Sequence, residues 1–306
     1  MIIENRQYLQ AFFEEFDYPC DARESLLCAY DRICDDENLK EALFSAVLRY
    51  RNTDYDFDGE YQAIHELFVE KNSVFCEGEF IFVVLLSRRL RELYAEAGID
   101  DEIYKNSMLD CKYKLFECKD VYDVWGTFVA RWYKGFFKMY RFALGRLQFD
   151  FVPFRENYTG QGIELSEGAP RLAVHIPRTG TRLDYELVKD SYRRAIEFFA
   201  SWFGDSPIAF TCGSWLLYPR NKEILSPSSN LYKFISDYDI IKSKDYSDYR
   251  EMWRLFDTEI TENIDALPQD TSLRKAYADI MKRGEPLGEG YGVYVPSDQV
   301  FRRNKK

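Results

Sequence analysis

The chain is poor in the residues that build metal sites and disulfide frameworks. It has only two histidines, His65 and His175, among 306 residues, and its seven cysteines include no C-x-x-C pair. Zinc sites require several closely spaced Cys or His ligands, and an odd number of cysteines does not complete a set of disulfides. The sequence therefore predicts no metal site, and it predicts reduced, mostly buried thiols.

Signature motifs of several large enzyme classes are missing as well. The sequence contains no G-x-x-x-x-G-K-[ST], no G-x-S-x-G and no H-E-x-x-H, and neither histidine begins an H-x-x-x-D. Each motif places reacting groups at a spacing that its chemistry requires. Their absence removes phosphate-loop NTPases, common hydrolases and zinc proteases from consideration.

Long apolar runs and a leader-like N-terminus are also absent. The longest apolar stretch, residues 80–86, is far shorter than the roughly 20 residues that a membrane-spanning helix needs. The first residues, MIIENRQYLQ, contain no basic segment followed by an apolar run. We therefore expect a cytoplasmic protein without a membrane span.

Positive charge is scarce in the first part of the chain. The formal net charge is −11, and residues 1–119 alone carry 14 Lys and Arg against 26 Asp and Glu. Binding to nucleic-acid phosphates needs a basic patch, so this balance argues against a nucleic-acid partner. An acidic surface would attract a cationic substrate, but a solvated acidic face is the favoured explanation.

Residues 4–118 show helical periodicity almost throughout. Residues 79–97 are apolar all round in their middle and are followed by Gly98, which predicts the central helix of a bundle with a C-cap glycine. His65 lies beside an apolar face and is interpreted as a packing residue. We predict an all-α domain over residues 1–119.

Strands and helices alternate after residue 120. The segment FALGRLQFDFV and residues 172–177, 208–212 and 289–295 predict strands. The segment LDYELVKDSYRRAIEFFASWF has apolar residues on one helical face and charged residues on the other, which predicts a long amphipathic helix.

Three further segments receive predictions from their residue patterns. Residues 121–140 are rich in aromatics and predict a helix. Residues 153–168 contain Gly160 and Gly162 and predict a loop with a turn. Residues 272–282 predict the last helix.

The loop RTGTR that precedes the long helix has features of an anion site. The first amides of a helix lack intrahelical partners and carry partial positive charge, and Gly180 has no side chain to block a phosphate. Arg178 and Arg182 flank the glycine and would add positive charge. The alternative is an ordinary capped helix, since Thr181 and Asp184 also fit a capping box whose carboxylate would occupy part of the site.

The order strand, strand, loop, long helix, strand, helix, strand resembles that of GNAT-type acyltransferases. The segments LGRLQFD, VHIPRTGTRLDYELVKDSYRRAIEFF and CGSWLLYPRNKEILSPSSNLYKF are similar to those of bacterial N-acyltransferases with a helical N-terminal domain and a GNAT-like C-terminal domain. The resemblance extends over nearly the whole chain. It implies a two-domain α+β fold: an all-α bundle over residues 1–119, then a GNAT-like α/β domain over residues 120–306 with a mixed, mostly antiparallel central sheet.

The resemblance also implies a reaction. An acyl group would pass from acetyl-CoA or another acyl-CoA to an amine on a small molecule or peptide. The usual phosphate loop of these enzymes, Gln/Arg-x-x-Gly-x-Gly/Ala, is reduced here to a single glycine. A non-catalytic module that binds acyl-CoA or a protein partner is the alternative. A separate possibility is that residues 1–119 serve only as the surface of a homodimer.

The candidate donor-binding residues lie on the loop and after the next strand. Backbone amides of the loop are expected to hold the CoA pyrophosphate, and residues after the strand at 208–212 would line the pantetheine channel. These residues are Ile176, Arg178, Thr179, Gly180, Thr181, Arg182, Leu183, Ser214 and Trp215.

Three residues are candidates for the chemistry. Transfer from a thioester needs a deprotonated amine, and His175 at the carboxyl end of a predicted strand is the favoured base. Its alternative is a core histidine bonded to backbone. Cys212, at the end of the next strand, could act as a nucleophile, although a buried structural thiol is the simpler interpretation. Tyr218 could protonate the departing thiolate.

Overall fold

The structure is a computed structural model of the chain. It describes residues 1–71, 75–260 and 262–297. Helices dominate the first 140 residues, and a sheet with helices around it follows.

The chain divides into two compact units. The first comprises Met1–Ala143 together with Arg178–Gly180, and the second comprises Leu144–Pro177 and the chain from Thr181 onward. The boundary predicted between residues 119 and 120 lies inside a helix of the first unit. The division into domains at residues 119 and 120 stays a prediction.

Six long helices make up most of the described first unit. They are α1 Ile2–Glu15, α2 Cys20–Asp35, α3 Glu37–Arg49, α4 Phe57–Lys71, α5 Phe75–Glu96 and α6 Asp101–Tyr122. Every residue of α5 from Gly78 to Ser87 is buried, because the run from Phe80 to Leu86 is apolar on all sides of the helix. After α5, Gly98 adopts φ 70° and donates its amide to the carbonyl of Ala95. These features confirm the predicted central helix and its C-cap.

The aromatic segment after α6 is not one helix, and the prediction over residues 121–140 is wrong. Helix α6 ends because Asp123 takes the left-handed conformation, with φ 57°. The chain then packs closely at Gly126, where an added Cβ would lie 2.5 Å from the carbonyl carbon of Cys76. A 3-10 turn, Ala130–Tyr133, and α7, Lys134–Phe137, follow. Periodicity does not reveal a left-handed aspartate, so the sequence pattern missed this break.

The described chain forms one sheet of six strands and one of two strands. In chain order the eight strands are β1 Arg141–Leu144, β2 Leu147–Pro153, β3 Tyr158–Gly160, β4 Ile163–Leu165, β5 Pro170–His175, β6 Phe210–Ser214, β7 Asp239–Asp245 and β8 Gly288–Tyr294. The sheet order is β1-β2-β5-β6-β8-β7. Strands β5 and β6 are parallel, whereas β2 with β5, β6 with β8 and β7 with β8 are antiparallel. This mixed, mostly antiparallel sheet confirms the predicted fold class.

Strands β3 and β4 form a separate hairpin within the predicted loop of residues 153–168. Gln161 and Gly162 make its two-residue turn with φ of 46° and 78°, the geometry that matches the twist of a tight hairpin. The turn prediction is confirmed, but the flanking strands were missed because three-residue strands leave almost no periodic signal.

One face of the sheet is covered by the long amphipathic helix. The helices of this unit are α8 Tyr185–Phe203, α9 Asn221–Ile224, α10 Asn230–Asp237, α11 Trp253–Phe256 and α12 Ser272–Lys282. Tyr192 of α8 packs its ring 4.7 Å from that of Phe210 on β6, and Phe199 packs 6.2 Å from Phe151 on β2. Each such buried ring stabilises the fold by about 1.5–3 kcal/mol. The bounds of α12 match its prediction.

Candidate functional site

Strands β5 and β6 separate toward their carboxyl ends. Their register covers Leu172 with Phe210 and Ala173 with Thr211. Beyond these pairs, β5 continues to His175 against β2, and β6 continues against β8. The described chain thus contains a wedge between two parallel strands at their carboxyl ends, which is where open α/β sheets bind ligands.

His175 lies at this wedge beside a carboxylate. Its Nε2 is 3.1 Å from Oδ2 of Asp150, and the two side chains are 26% and 10% exposed. Asp150 opposes Ala173 across the β2–β5 ladder, so it is the diagonal neighbour of His175 on the same face. A carboxylate that accepts the Nε2 proton favours the tautomer whose basic lone pair is on Nδ1. The arrangement is that of an oriented base.

The sheet face that carries His175 also carries several polar side chains. Arg171 lies two positions before Ala173 on β5, and it donates to the hydroxyl of Thr211 on β6 and, at 3.3 Å, to the carbonyl of Pro153. Its guanidinium carbon is 6.0 Å from the ring centre of Tyr291 on β8. This face thus carries polar side chains near His175 and an apolar cluster farther along β8 that includes Val293, whereas the opposite face is covered by α8.

Asp150, Arg171, Thr211 and Tyr291 were not identified from the sequence. The available signal was the alternation in LQFDFV, where a glutamine and an aspartate occupy the positions between Leu, Phe and Phe. That alternation indicates a strand with one polar face. It does not reveal which residues face Asp150, because the pairing of β2 with β5 joins distant parts of the sequence.

The loop before α8 is capped by its own aspartate. Asp184, not Thr181, is the N-cap, because its Oδ1 accepts from the amides of Glu186 at 2.8 Å and Leu187 at 3.4 Å. Gly180 adopts φ 72°, and no further atom lies within 4 Å of an added Cβ. A phosphate at this loop would therefore be held by amides that precede the helix.

The other predicted loop residues differ in exposure. Arg178 forms an ion pair with Asp120 of α6, with Nη2 2.7 Å from Oδ2. Its charge is already balanced within the first unit. The exposed loop residues are Gly180, Thr181 and Arg182, and the half-buried ones are Ile176, Arg178, Thr179 and Leu183.

Cys212 lies on the opposite sheet face from His175. It shares the parity of Phe210, which faces α8, and it is buried. Burial raises the pKa of the Cys212 thiol to about 12. The structure does not bring this thiol and His175 together.

The remaining candidates follow β6. The hydroxyl of Ser214 accepts from the amide of Leu216 at 3.2 Å, and the ring of Trp215 packs 5.7 Å from that of Tyr277. Tyr218 donates to Oδ1 of Asp245 at 2.7 Å, and its pKa is raised by burial and by this bond. These residues form a second group, which starts at the carboxyl end of β6.

Metal and membrane features are not found in the described ranges. Across residues 1–71, 75–260 and 262–297, no three His, Cys, Asp or Glu side chains gather as metal ligands would. Over the same part of the chain, no helix combines the length and apolar character that crossing a bilayer requires.

Two family models match the chain. One, described as N-acyltransferase N-terminal domain, matches residues 7–139. The other, described as GNAT-like C-terminal domain, matches residues 141–294 and so includes the wedge and the His175–Asp150 pair.

Several solved structures share the fold. An acyltransferase in complex with decanoyl-CoA and teicoplanin superposes with a TM-score of 0.72 at 20% identity, over 94% of this chain and 87% of that chain. A variant acyltransferase in complex with octanoyl-CoA gives a TM-score of 0.73 at 20% identity, over 95% of this chain and 88% of that chain. No curated protein matches the chain.

Proposed function

This chain belongs to the N-acyltransferases with a GNAT-like C-terminal domain, and we propose that it transfers a medium-length acyl group from coenzyme A to an amine. The observation that carries the proposal is the His175–Asp150 pair at the open end of the β5–β6 wedge. The bound decanoyl-CoA and octanoyl-CoA of the structurally similar acyltransferases support a donor of that length.

The donor would enter where β5 and β6 part. The wedge offers backbone groups that the β5–β6 ladder does not pair, and these suit the amides of a pantetheine arm. The pyrophosphate would lie against the loop around Gly180, whose positive φ and open surroundings admit an anion close to the backbone. Arg182 adds an exposed positive charge beside it.

His175 would act as the general base for the acceptor. Nδ1 takes a proton from the amine as its nitrogen attacks the thioester carbonyl carbon, and Asp150 stabilises the imidazolium that forms. The C–N bond forms, the C–S bond breaks, and the coenzyme A thiolate leaves with the electron pair. The proton held by His175 can then neutralise that thiolate.

Direct transfer to the amine does not require a cysteine nucleophile. The thiol of Cys212 stays protonated at neutral pH, because burial raises its pKa to about 12, and it faces α8. Tyr218 is the proposed alternative source of the thiolate's proton, through its hydroxyl bonded to Asp245.

Calorimetric titration with octanoyl-CoA, acetyl-CoA and free coenzyme A tests donor binding. We expect octanoyl-CoA to bind most tightly, and a Gly180→Trp substitution to abolish binding. Gly168→Trp is the matched control, because Gly168 also has a positive φ, 85°, and open surroundings, but lies in the loop before β5. Absence of binding to all three ligands at millimolar concentration would contradict the proposal.

An acylation assay then distinguishes an enzyme from a non-catalytic binding module. Octanoyl-CoA is incubated with a panel of amines, and acylated products are identified by mass spectrometry. Wild type should acylate at least one amine, and His175→Gln should bind octanoyl-CoA but acylate that amine at least about 100-fold more slowly. Binding of octanoyl-CoA without acylation of any amine would favour the non-catalytic module.

A further inference from the structure

Arg171 places a buried guanidinium on the sheet face of His175, and only 9% of the residue is exposed. Its Nε donates to the carbonyl of Pro153, and one Nη donates to the hydroxyl of Thr211. Among the described residues, no carboxylate lies within 4.0 Å of the guanidinium. Asp150, which faces it from β2, is bonded to His175. The positive charge is therefore buried without a direct counterion.

The charges around Arg171 act in opposite directions. The carboxylate of Asp150 favours the charged guanidinium without forming a direct ion pair with it. Arg155, which follows β2, repels Arg171, and its neighbour Glu156 forms an ion pair with Lys242 at 2.5 Å. Burial and this repulsion lower the pKa of the guanidinium. A buried charge that lacks a partner costs free energy, and two arginines near each other form a site that an anion would complete.

The guanidinium of Arg171 also extends along β5 toward His175, where the acceptor amine would react. It bonds Thr211, which pairs with Ala173, and Ala173 lies two residues before His175 on β5. Two residues of a strand correspond to about 7 Å. One small molecule could therefore place its amine at His175 and its anionic group at Arg171.

One residue beside this position is exposed. Gly213, which opposes Tyr291 in the β6–β8 ladder, is exposed and presents no side chain. Tyr291 is half-buried, with its ring beside the guanidinium. The exposed Gly213 marks the side from which an anion would approach Arg171.

We propose that Arg171 binds the carboxylate of the acyl acceptor, so that the acceptor is an amino acid or a similar amine that carries a carboxylate. The planar guanidinium matches the two oxygens of a carboxylate. The assignment rests on the proposed acyl transfer at His175. It narrows the acceptor to one chemical class.

Matched pairs of L-amino acids and their carboxamides test the proposal. Binding is measured by saturation-transfer NMR and thermal shift without acyl-CoA, and transfer is measured with octanoyl-CoA by mass spectrometry. We expect at least one acid to bind wild type about tenfold more tightly than its amide. Arg171→Gln should abolish that preference and Arg171→Lys should keep part of it. Arg193→Gln is the control, because Arg193 is an exposed arginine of α8 paired with Asp190.

A second variant distinguishes a role of Arg171 in carboxylate binding from a role in the stability of the fold. Arg171→Met replaces the buried charge by an apolar side chain of similar length, and we expect an unchanged or higher melting temperature together with loss of the acid preference. If Arg171→Met melts well below wild type and Arg171→Gln still prefers acids, the guanidinium is structural and the proposal is overturned.

The acid–amide comparison also distinguishes this proposal from the acyltransferase function. If no acid binds better than its amide, the carboxylate site is overturned whether or not an amine is acylated. If acids bind through Arg171 but octanoyl-CoA does not bind and no amine is acylated, the carboxylate site stands and acyl transfer is contradicted.

Discussion

The molecule contains two histidine–carboxylate pairs, one in each unit. In the helical unit, Nδ1 of His65 on α4 is 2.6 Å from Oε1 of Glu79 on α5. In the sheet unit, Nε2 of His175 is 3.1 Å from Oδ2 of Asp150. The histidines are similarly exposed, 32% and 26%, and the carboxylates are buried in both pairs. Exposure and distance alone therefore do not distinguish a catalytic pair from a structural one.

The surroundings of the two pairs differ. Tyr61 donates to the same Glu79 oxygen at 2.9 Å, and the ring of Phe75 packs 5.4 Å from that of His65. This pair joins two packed helices. His175 instead ends a strand whose parallel neighbour has separated from it. A histidine next to a carboxylate becomes a candidate base when the fold also provides room for a substrate, as the wedge does.

The largest expected effect is on the proposed base, His175. His175→Gln should lower kcat for octanoyl transfer by about 10²- to 10⁴-fold, because the amine loses its proton acceptor. His65→Gln is the matched control, and its kcat should stay near that of wild type. Steady-state kinetics of both variants with octanoyl-CoA gives the result. Equal losses in the two variants would contradict the assignment of His175.

The next effect concerns Asp150, which we propose to be the positioning residue for His175. Asp150→Asn should lower kcat by about 10- to 100-fold, because an amide does not enforce the tautomer with its lone pair on Nδ1. KM for octanoyl-CoA should change little, since the loop and wedge remain. A rise in KM with kcat unchanged would show that Asp150 serves donor binding instead.

A smaller effect concerns stability in the helical unit. Burial raises the pKa of Glu79, so the folded state holds its proton more tightly than the unfolded state does. The resulting contribution to stability is complete below the ordinary glutamate pKa and is lost as pH rises through the raised value. Glu79→Gln stays neutral, so the variant should gain stability relative to wild type with rising pH.

Urea unfolding at pH 5 and pH 8 measures this difference. Glu66→Gln is the control, because Glu66 is an exposed residue of α4 bonded to Gln62. Its stability relative to wild type should be the same at both pH values. A Glu79→Gln variant that loses stability relative to wild type as pH rises would show that burial does not raise the pKa of Glu79.

The sequence predicted those parts of the fold that depend on local periodicity. The α5 helix, the Gly98 C-cap and α12 follow from residue patterns within one segment, and each was identified. The end of α6 at Asp123 and the β3–β4 hairpin were missed, because a left-handed aspartate and three-residue strands leave little periodic signal.

The candidate site was only partly predictable for a related reason. His175 was identified because its position at a strand end can be read from one segment. Its partner Asp150 depends on the register between β2 and β5, and the burial of Arg171 depends on packing around that ladder. Long-range register is set by the whole core, so no single segment contains this information.

The smallest expected effect on activity is at Cys212, on the other face of the same sheet. Cys212→Ala should leave kcat close to that of wild type, because a buried thiol with its pKa raised to about 12 is protonated at neutral pH and is not a nucleophile. The lost packing should cost about 1 kcal/mol of stability. Kinetics and urea unfolding of one variant measure both. A loss of activity as large as that of His175→Gln, with an unchanged unfolding midpoint, would instead support an acyl-cysteine step and make the α8 face part of the site.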